Sequence, residues 1–121
     1  LFSKTLSFMD TPPIKPPYFN DLAIQKYHKF SNGISPHRDH IKYTGVIIIV
    51  TLSGQSTLSI CQNRNRDSTE VLNDKPGQIV VLPATNFFTF TGSNVRPLHF
   101  VDNIQEGRLS IGLRQNSERL F

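Results

Sequence analysis

His37-Arg38-Asp39, His99 and Arg108 are the residues of this chain whose types and spacing could do chemistry. Two imidazoles and one carboxylate hold a divalent metal while leaving coordination positions open, the donor set that suits non-haem Fe(II) and its oxygen chemistry. The same donors also suit zinc. In His37-x-Asp39 the side chains lie two residues apart, so at an extended strand end both project to one face and reach one ion. Taken alone, the dyad could also be a solvated turn after Ser35-Pro36, and His99, between Leu98 and Phe100, could be a hydrogen-bonded core histidine. His28 and His40 are poorer candidates. His28 falls on the strand face opposite Gln25 and Tyr27, and His40 points away from the His37/Asp39 face.

The segment Arg108–Arg114 bears on that choice. Period-two geometry puts Leu109, Ile111 and Leu113 on one face and Arg108, Ser110, Gly112 and Arg114 on the other. Either the arginines sit in water on a half-exposed strand, or the polar face turns inward and a guanidinium grips a carboxylate bidentately. Burying an unpaired guanidinium costs on the order of several kcal/mol, so an inward face requires an anion. Gly112 leaves room on that face. With Arg108 only nine residues beyond His99, an anion held there would lie beside the metal, which points to an organic acid as co-substrate.

The elements that must position these groups read as short β segments separated by turn residues. Candidate strands are Ala23–Phe30, the β-branched and fully buried Gly45–Leu52, the alternating Ser56–Cys61, the short Glu70-Val71-Leu72, Gln78–Leu82, Phe87–Thr91, Pro97–Asn103 and Arg108–Arg114. In Ser56–Cys61, Thr57, Ser59 and Cys61 face one way and Leu58 and Ile60 the other. Ser53-Gly54-Gln55 and Lys75-Pro76-Gly77 are turn signals, and Cys61–Thr69 is a polar, arginine-bearing loop. No stretch has useful helical periodicity, and about eight short strands argue an all-β jelly roll or sandwich. Such a fold can bring His99 across to the His37/Asp39 pair.

Composition narrows the class. The chain has 121 residues, enough for one domain with its own core. Residues 1–22 form a Pro-rich arm, where Pro12, Pro13, Pro16 and Pro17 exclude a long helix or central strand. Residues 23–121 form the domain. Cys61 is the single cysteine, which excludes an internal disulfide and is compatible with a reducing compartment. No apolar run approaches the ~18 residues of a membrane span, and no stretch reads as a signal peptide. An intracellular place, cytoplasmic or nuclear, is the expectation. Opening on Leu1 rather than Met is consistent with a trimmed fragment. Thirteen Lys/Arg against nine Asp/Glu give +4, which permits nucleic-acid binding through phosphate contacts.

Together, His37-x-Asp39, His99 and Arg108-x-Ser110 resemble the Fe(II)/2-oxoglutarate-dependent dioxygenases, over roughly residues 23–115. Arg108 and Arg114 are similar to the R-x5-R ending of the AlkB-like branch, and Gln25-x-Tyr27 resembles its Asn-x-Tyr pair. The resemblance implies a double-stranded β-helix, the jelly-roll or cupin-like architecture. It implies Fe(II) on His37, Asp39 and His99, with 2-oxoglutarate and O2 as co-substrates. Arg108 would hold the distal carboxylate of 2-oxoglutarate, helped by Ser110 and Tyr27, with Gln25 nearby. Arg114 would support the metal-side carboxylate or Asp39. The reaction implied is hydroxylation or demethylation at a C–H bond with release of succinate and CO2. The substrate stays open between methylated nucleic acid and a protein or small molecule, and a non-catalytic jelly-roll binding module stands beside the enzyme reading. Two features depart from the AlkB-like pattern. Ile41 stands where an acidic residue helps read the damaged base, and the His99–Arg108 interval is short.

Overall fold

The computed structural model describes residues 18–87 and 96–119. Strands β1 (Asp21–Tyr27), β2 (Ile34–His37), β3 (Tyr43–Gly54), β4 (Thr57–Cys61), β5 (Glu70–Val71), β6 (Ile79–Pro83), β7 (Leu98–Asp102) and β8 (Arg108–Asn116) follow in order. They form two antiparallel four-stranded sheets, β1-β8-β3-β6 and β2-β7-β4-β5, as in a jelly roll or β-sandwich. The all-β expectation is borne out. No helix among the described residues is long and apolar enough to cross a membrane.

Register decides which side chains meet between the sheets. In the first sheet Arg108, Ser110, Gly112 and Arg114 lie opposite Tyr27, Gln25, Ala23 and Asp21 of β1. On the other side of β8, Arg114, Gly112 and Ser110 pair with Ile47, Ile49 and Thr51 of β3. In the second sheet Ile34 and His37 pair with Val101 and His99, which pair in turn with Leu58 and Ile60. Leu58, Val80, Leu82, Val101 and Ile104 form the buried apolar centre, with Tyr27, Ile34, Ile49, Ile60 and Leu72 packed against it. The odd-numbered residues of β4 turn the other way, as alternation requires. There Cys61 clusters with Leu98 and Phe100, and the Arg66 guanidinium covers the Phe100 ring at 4.3 Å.

Some boundaries differ from the sequence reading. β1 ends at Tyr27 rather than Phe30, because the chain turns there: Ser31 N–H donates to His28 O and Phe30 takes a φ of 62°. β3 runs two residues further at each end than Gly45–Leu52, and its C-terminal part is not fully buried, with Leu52 46% exposed. Residues 88–91 of the expected Phe87–Thr91 strand and residues 1–17 of the N-terminal arm lie outside the described residues. Lys75-Pro76-Gly77 does turn, with Gln78 N–H donating to Lys75 O and Gly77 at φ 89°.

Gly33 fixes the β2–β7 contact that later sets His37 against His99. It has a φ of 71°, and a Cβ there would lie 1.9 Å from Val101 O. Gly33→Ala is therefore expected to cost more than the ~1–2 kcal/mol of left-handed strain alone. Urea unfolding of the variant measures this, and an unchanged midpoint would mean that the contact relaxes freely.

Candidate metal centre

Three elements supply the donors. His37 closes β2, Asp39 follows in the loop just beyond, and His99 comes from β7, directly opposite His37. His37 Nε2 lies 3.6 Å from Asp39 Oδ1, and His99 Nε2 lies 3.4 Å from the same oxygen. The two imidazole centroids are 4.3 Å apart with planes tilted by 53°, and one ligand atom from each residue falls within a 4.8 Å span. Donors ~2.1 Å from one ion in adjacent positions stand roughly 3–3.5 Å apart. The donor set therefore fits a single divalent metal with small adjustments.

The tautomer also suits that role. His37 Nδ1 lies 2.8 Å from Ser35 O. As a donor to that carbonyl it leaves the Nε2 lone pair pointing at Asp39 and His99, the outer-shell arrangement common to ligating histidines. Two arginines hold the loop from outside. Arg64 Nη1 donates to Pro36 O at 2.9 Å and Arg96 Nη2 donates to Asp39 O at 2.6 Å, while Arg38 Nε donates to Arg96 O at 2.6 Å. The Arg38 and Arg96 bonds run in opposite directions and tie the Asp39 loop to the chain entering β7.

Protonation follows from this crowding. The Asp39 carboxylate beside His37 raises the His37 pKa above its ordinary 6.5, against burial and the Arg64 charge. Burial alone would raise Asp39, but hydrogen bonding and charge from His37 and His99 outweigh it and hold the carboxyl far below 3.8. In the metal-free protein, the His37 contribution to stability is full below pH 6.5 and is lost as pH rises through its raised pKa. The Asp39 contribution is present above pH 3.8 and is lost as pH falls through its depressed pKa. A metal competes with the His37 proton, so metal affinity is expected to weaken as pH drops through the raised His37 pKa, with Asp39 ionised throughout. Cobalt(II) titrations from neutral to mildly acid pH check this; affinity independent of pH would remove His37 from the ligand set.

A cleft of about 520 Å³, including its open mouth, runs from the triad between the sheets. Arg108, Arg114, Gln25, Ala23 and Gly112 also line it. Arg108 faces inward and is only 3% exposed. The anion that its burial requires is present within the chain: Arg108 Nη1 donates to Asp74 Oδ2, and to Ser56 Oγ at 3.0 Å. Arg114 Nη2 donates to Asp21 Oδ1 at 3.1 Å, Nη1 lies 3.6 Å from Asp39 Oδ2, and the guanidinium stacks on Tyr43 at 4.1 Å. Both arginines keep a buried Nε–H without a partner.

The remaining expected residues divide. Gln25 reaches the cleft, whereas Ser110 is 2% exposed but does not line it. Tyr27 packs on the apolar centre, opposite Arg108 in the β1–β8 register. Sequence reading missed Asp74, Ser56 and Arg96, and reached Arg64 only as part of the arginine-bearing Cys61–Thr69 loop. Asp74 lies in a turn segment whose polar composition explains itself locally, and no sequence pattern reports which distant carbonyl an arginine will grip. No family model, curated protein or solved structure matches the chain.

Proposed function

We propose that the chain is an Fe(II)- and 2-oxoglutarate-dependent oxygenase that oxidises a C–H bond of a substrate admitted at the triad. The observation that carries this reading is a single cleft with two chemically distinct walls. His37, Asp39 and His99 form one part of its lining and the inward guanidinium of Arg108 another, with Arg114 reaching Asp39 at 3.6 Å. The unpartnered Nε–H groups of both arginines supply donors for an added anion.

When bound, the iron and 2-oxoglutarate would supply the oxidising chemistry, with succinate and CO2 as by-products. The chain's own part is positioning. His37, Asp39 and His99 would hold the metal, leaving positions free. Arg108 would take the distal carboxylate through its free Nε edge, and Arg114 would orient Asp39 through its 3.6 Å contact. Ile47, Ile49, Leu58 and Val101 line the space between and limit water there.

An anionic substrate is favoured, with methylated nucleic acid the first class to try. Arg38, Arg64 and Arg96 border the metal loop, and none has a carboxylate partner among the described residues. Succinate formation with Fe(II), 2-oxoglutarate and O2 is expected for the wild type and lost in Asp39→Ala. Methylated single-stranded oligonucleotides should bind with log K falling about 0.7 per phosphate contact against log salt. Binding absent even at low salt would discard nucleic acid; absence of succinate under all conditions would leave a binding module.

A further inference from the structure

Asp74 has no place in the oxygenase reading, yet it takes one end of the guanidinium on which that reading depends. Arg108 and Asp74 are 3% and 7% exposed. Arg108 Nη1 is committed to Asp74 Oδ2 and Ser56 Oγ, and Nε has no partner. The planar guanidinium thus has one end occupied by an internal carboxylate and another edge free for a second acceptor. The ion pair also forms a partition. Arg108 lines the inner cleft, while Asp74 and Ser56 line a recess on the other side with Thr57, Leu72 and Lys75.

We infer that Asp74 is a built-in counter-ion that weakens the grip of Arg108 on an incoming dicarboxylate by sharing its guanidinium. Naming that dicarboxylate as 2-oxoglutarate rests on the oxygenase reading. Sharing, rather than displacement, follows from how Asp74 is held. On one side of it Leu72 N–H donates to Leu58 O, and on the other Gly77 N–H donates to Thr51 O, both at 2.9 Å. The segment is pinned to β4 and β3 and keeps its carboxylate in place when a second one arrives. Two carboxylates around one buried guanidinium leave a net negative charge where water is excluded, and their repulsion opposes binding. The same arrangement meets the charge of Arg108 when the cleft holds no acid, so the wall stays folded without ligand.

The test is an anaerobic calorimetric titration of 2-oxoglutarate into the Fe(II)-loaded protein, comparing wild type, Asp74→Asn, Asp74→Glu and Arg108→Met. Asp74→Asn is expected to bind roughly tenfold tighter or more, the scale of one like-charge contact removed. Asp74→Glu, which keeps the charge, should show no gain. Asp74→Asn should also melt lower than wild type without 2-oxoglutarate and gain more from saturating ligand. If Asp74→Asn fails to fold, Asp74→Ser is the second variant, since its smaller side chain retains an acceptor for Arg108. Equal or weaker binding in the folded neutral variant, with wild type binding normally, overturns the counter-ion role and leaves the oxygenase reading intact. If neither wild type nor any variant binds 2-oxoglutarate, the co-substrate assignment fails and takes this inference with it.

Discussion

His99→Ala is expected to abolish tight divalent-metal binding while the sandwich stays folded. His99 is 8% exposed and its Nε2 lies 3.4 Å from the Asp39 carboxylate, so its loss leaves one imidazole and one carboxylate at the site. Removing groups that merely orient ligands already costs about 10–100-fold in metal affinity. Loss of a ligand itself should reach or exceed the top of that range. A second readout is thermal. Metal at ~100 times its Kd adds about 2.7 kcal/mol to a folded protein that binds it, and the variant should lose most of that gain. Circular dichroism in the absence of metal controls for folding. Wild-type metal affinity in the folded variant would place the ion elsewhere.

The second large effect belongs to the opposite wall. Arg108→Met removes the only ionic partner that Asp74 has among the described residues and strands a carboxylate that is 7% exposed. Breaking one side of a buried pair costs about 3–5 kcal/mol, whereas replacing both partners by apolar groups is often neutral. Urea denaturation should show that loss for Arg108→Met, with most of it recovered in Arg108→Met/Asp74→Leu. A loss below ~1 kcal/mol in the single variant would mean that water reaches the pair and that the wall is not sealed.

The physical reasons for these effects were unevenly legible in the sequence. His37, Asp39 and His99 stood out because so few residue types bind metal and because His37 and Asp39 lie two residues apart; β2, which ends on His37, was not among the expected strands. The inward turn of Arg108 was legible from the same period along β8, together with the cost of burying its charge. The source of the compensating anion was not. A buried arginine signals that a carboxylate is near without saying whether it is a ligand or a residue of the chain. Asp74 sits in Asn73-Asp74-Lys75-Pro76-Gly77, where an aspartate needs no further explanation. Only the pairing of Leu72 with Leu58 and of Gly77 with Thr51 carries that turn over the end of the cleft.

The fold shows the same contrast. Alternation in Ser56–Cys61 and Arg108–Arg114 gave the correct faces because a buried sheet penalises a one-residue slip across every side chain. The end of β1 was misplaced by three residues, since Lys26–Phe30 keeps strand-like composition while the Ser31-to-His28 bond closes a turn. Arg64 and Arg96 act through single bonds to Pro36 O and Asp39 O. Such contacts depend on the tertiary path alone.

The measurement that bears most directly on the central claim is an anaerobic titration of the metal-free protein, first with Fe(II) and then with 2-oxoglutarate, followed by visible absorption. Saturation is expected at a single equivalent of iron, then a metal-to-ligand charge-transfer band that grows only as 2-oxoglutarate is added. Both should vanish in Asp39→Ala, and the band alone should be lost or weakened in Arg108→Met. Iron binding of unchanged affinity in Asp39→Ala, or a wild-type protein that binds iron but develops no such band, would contradict the claim.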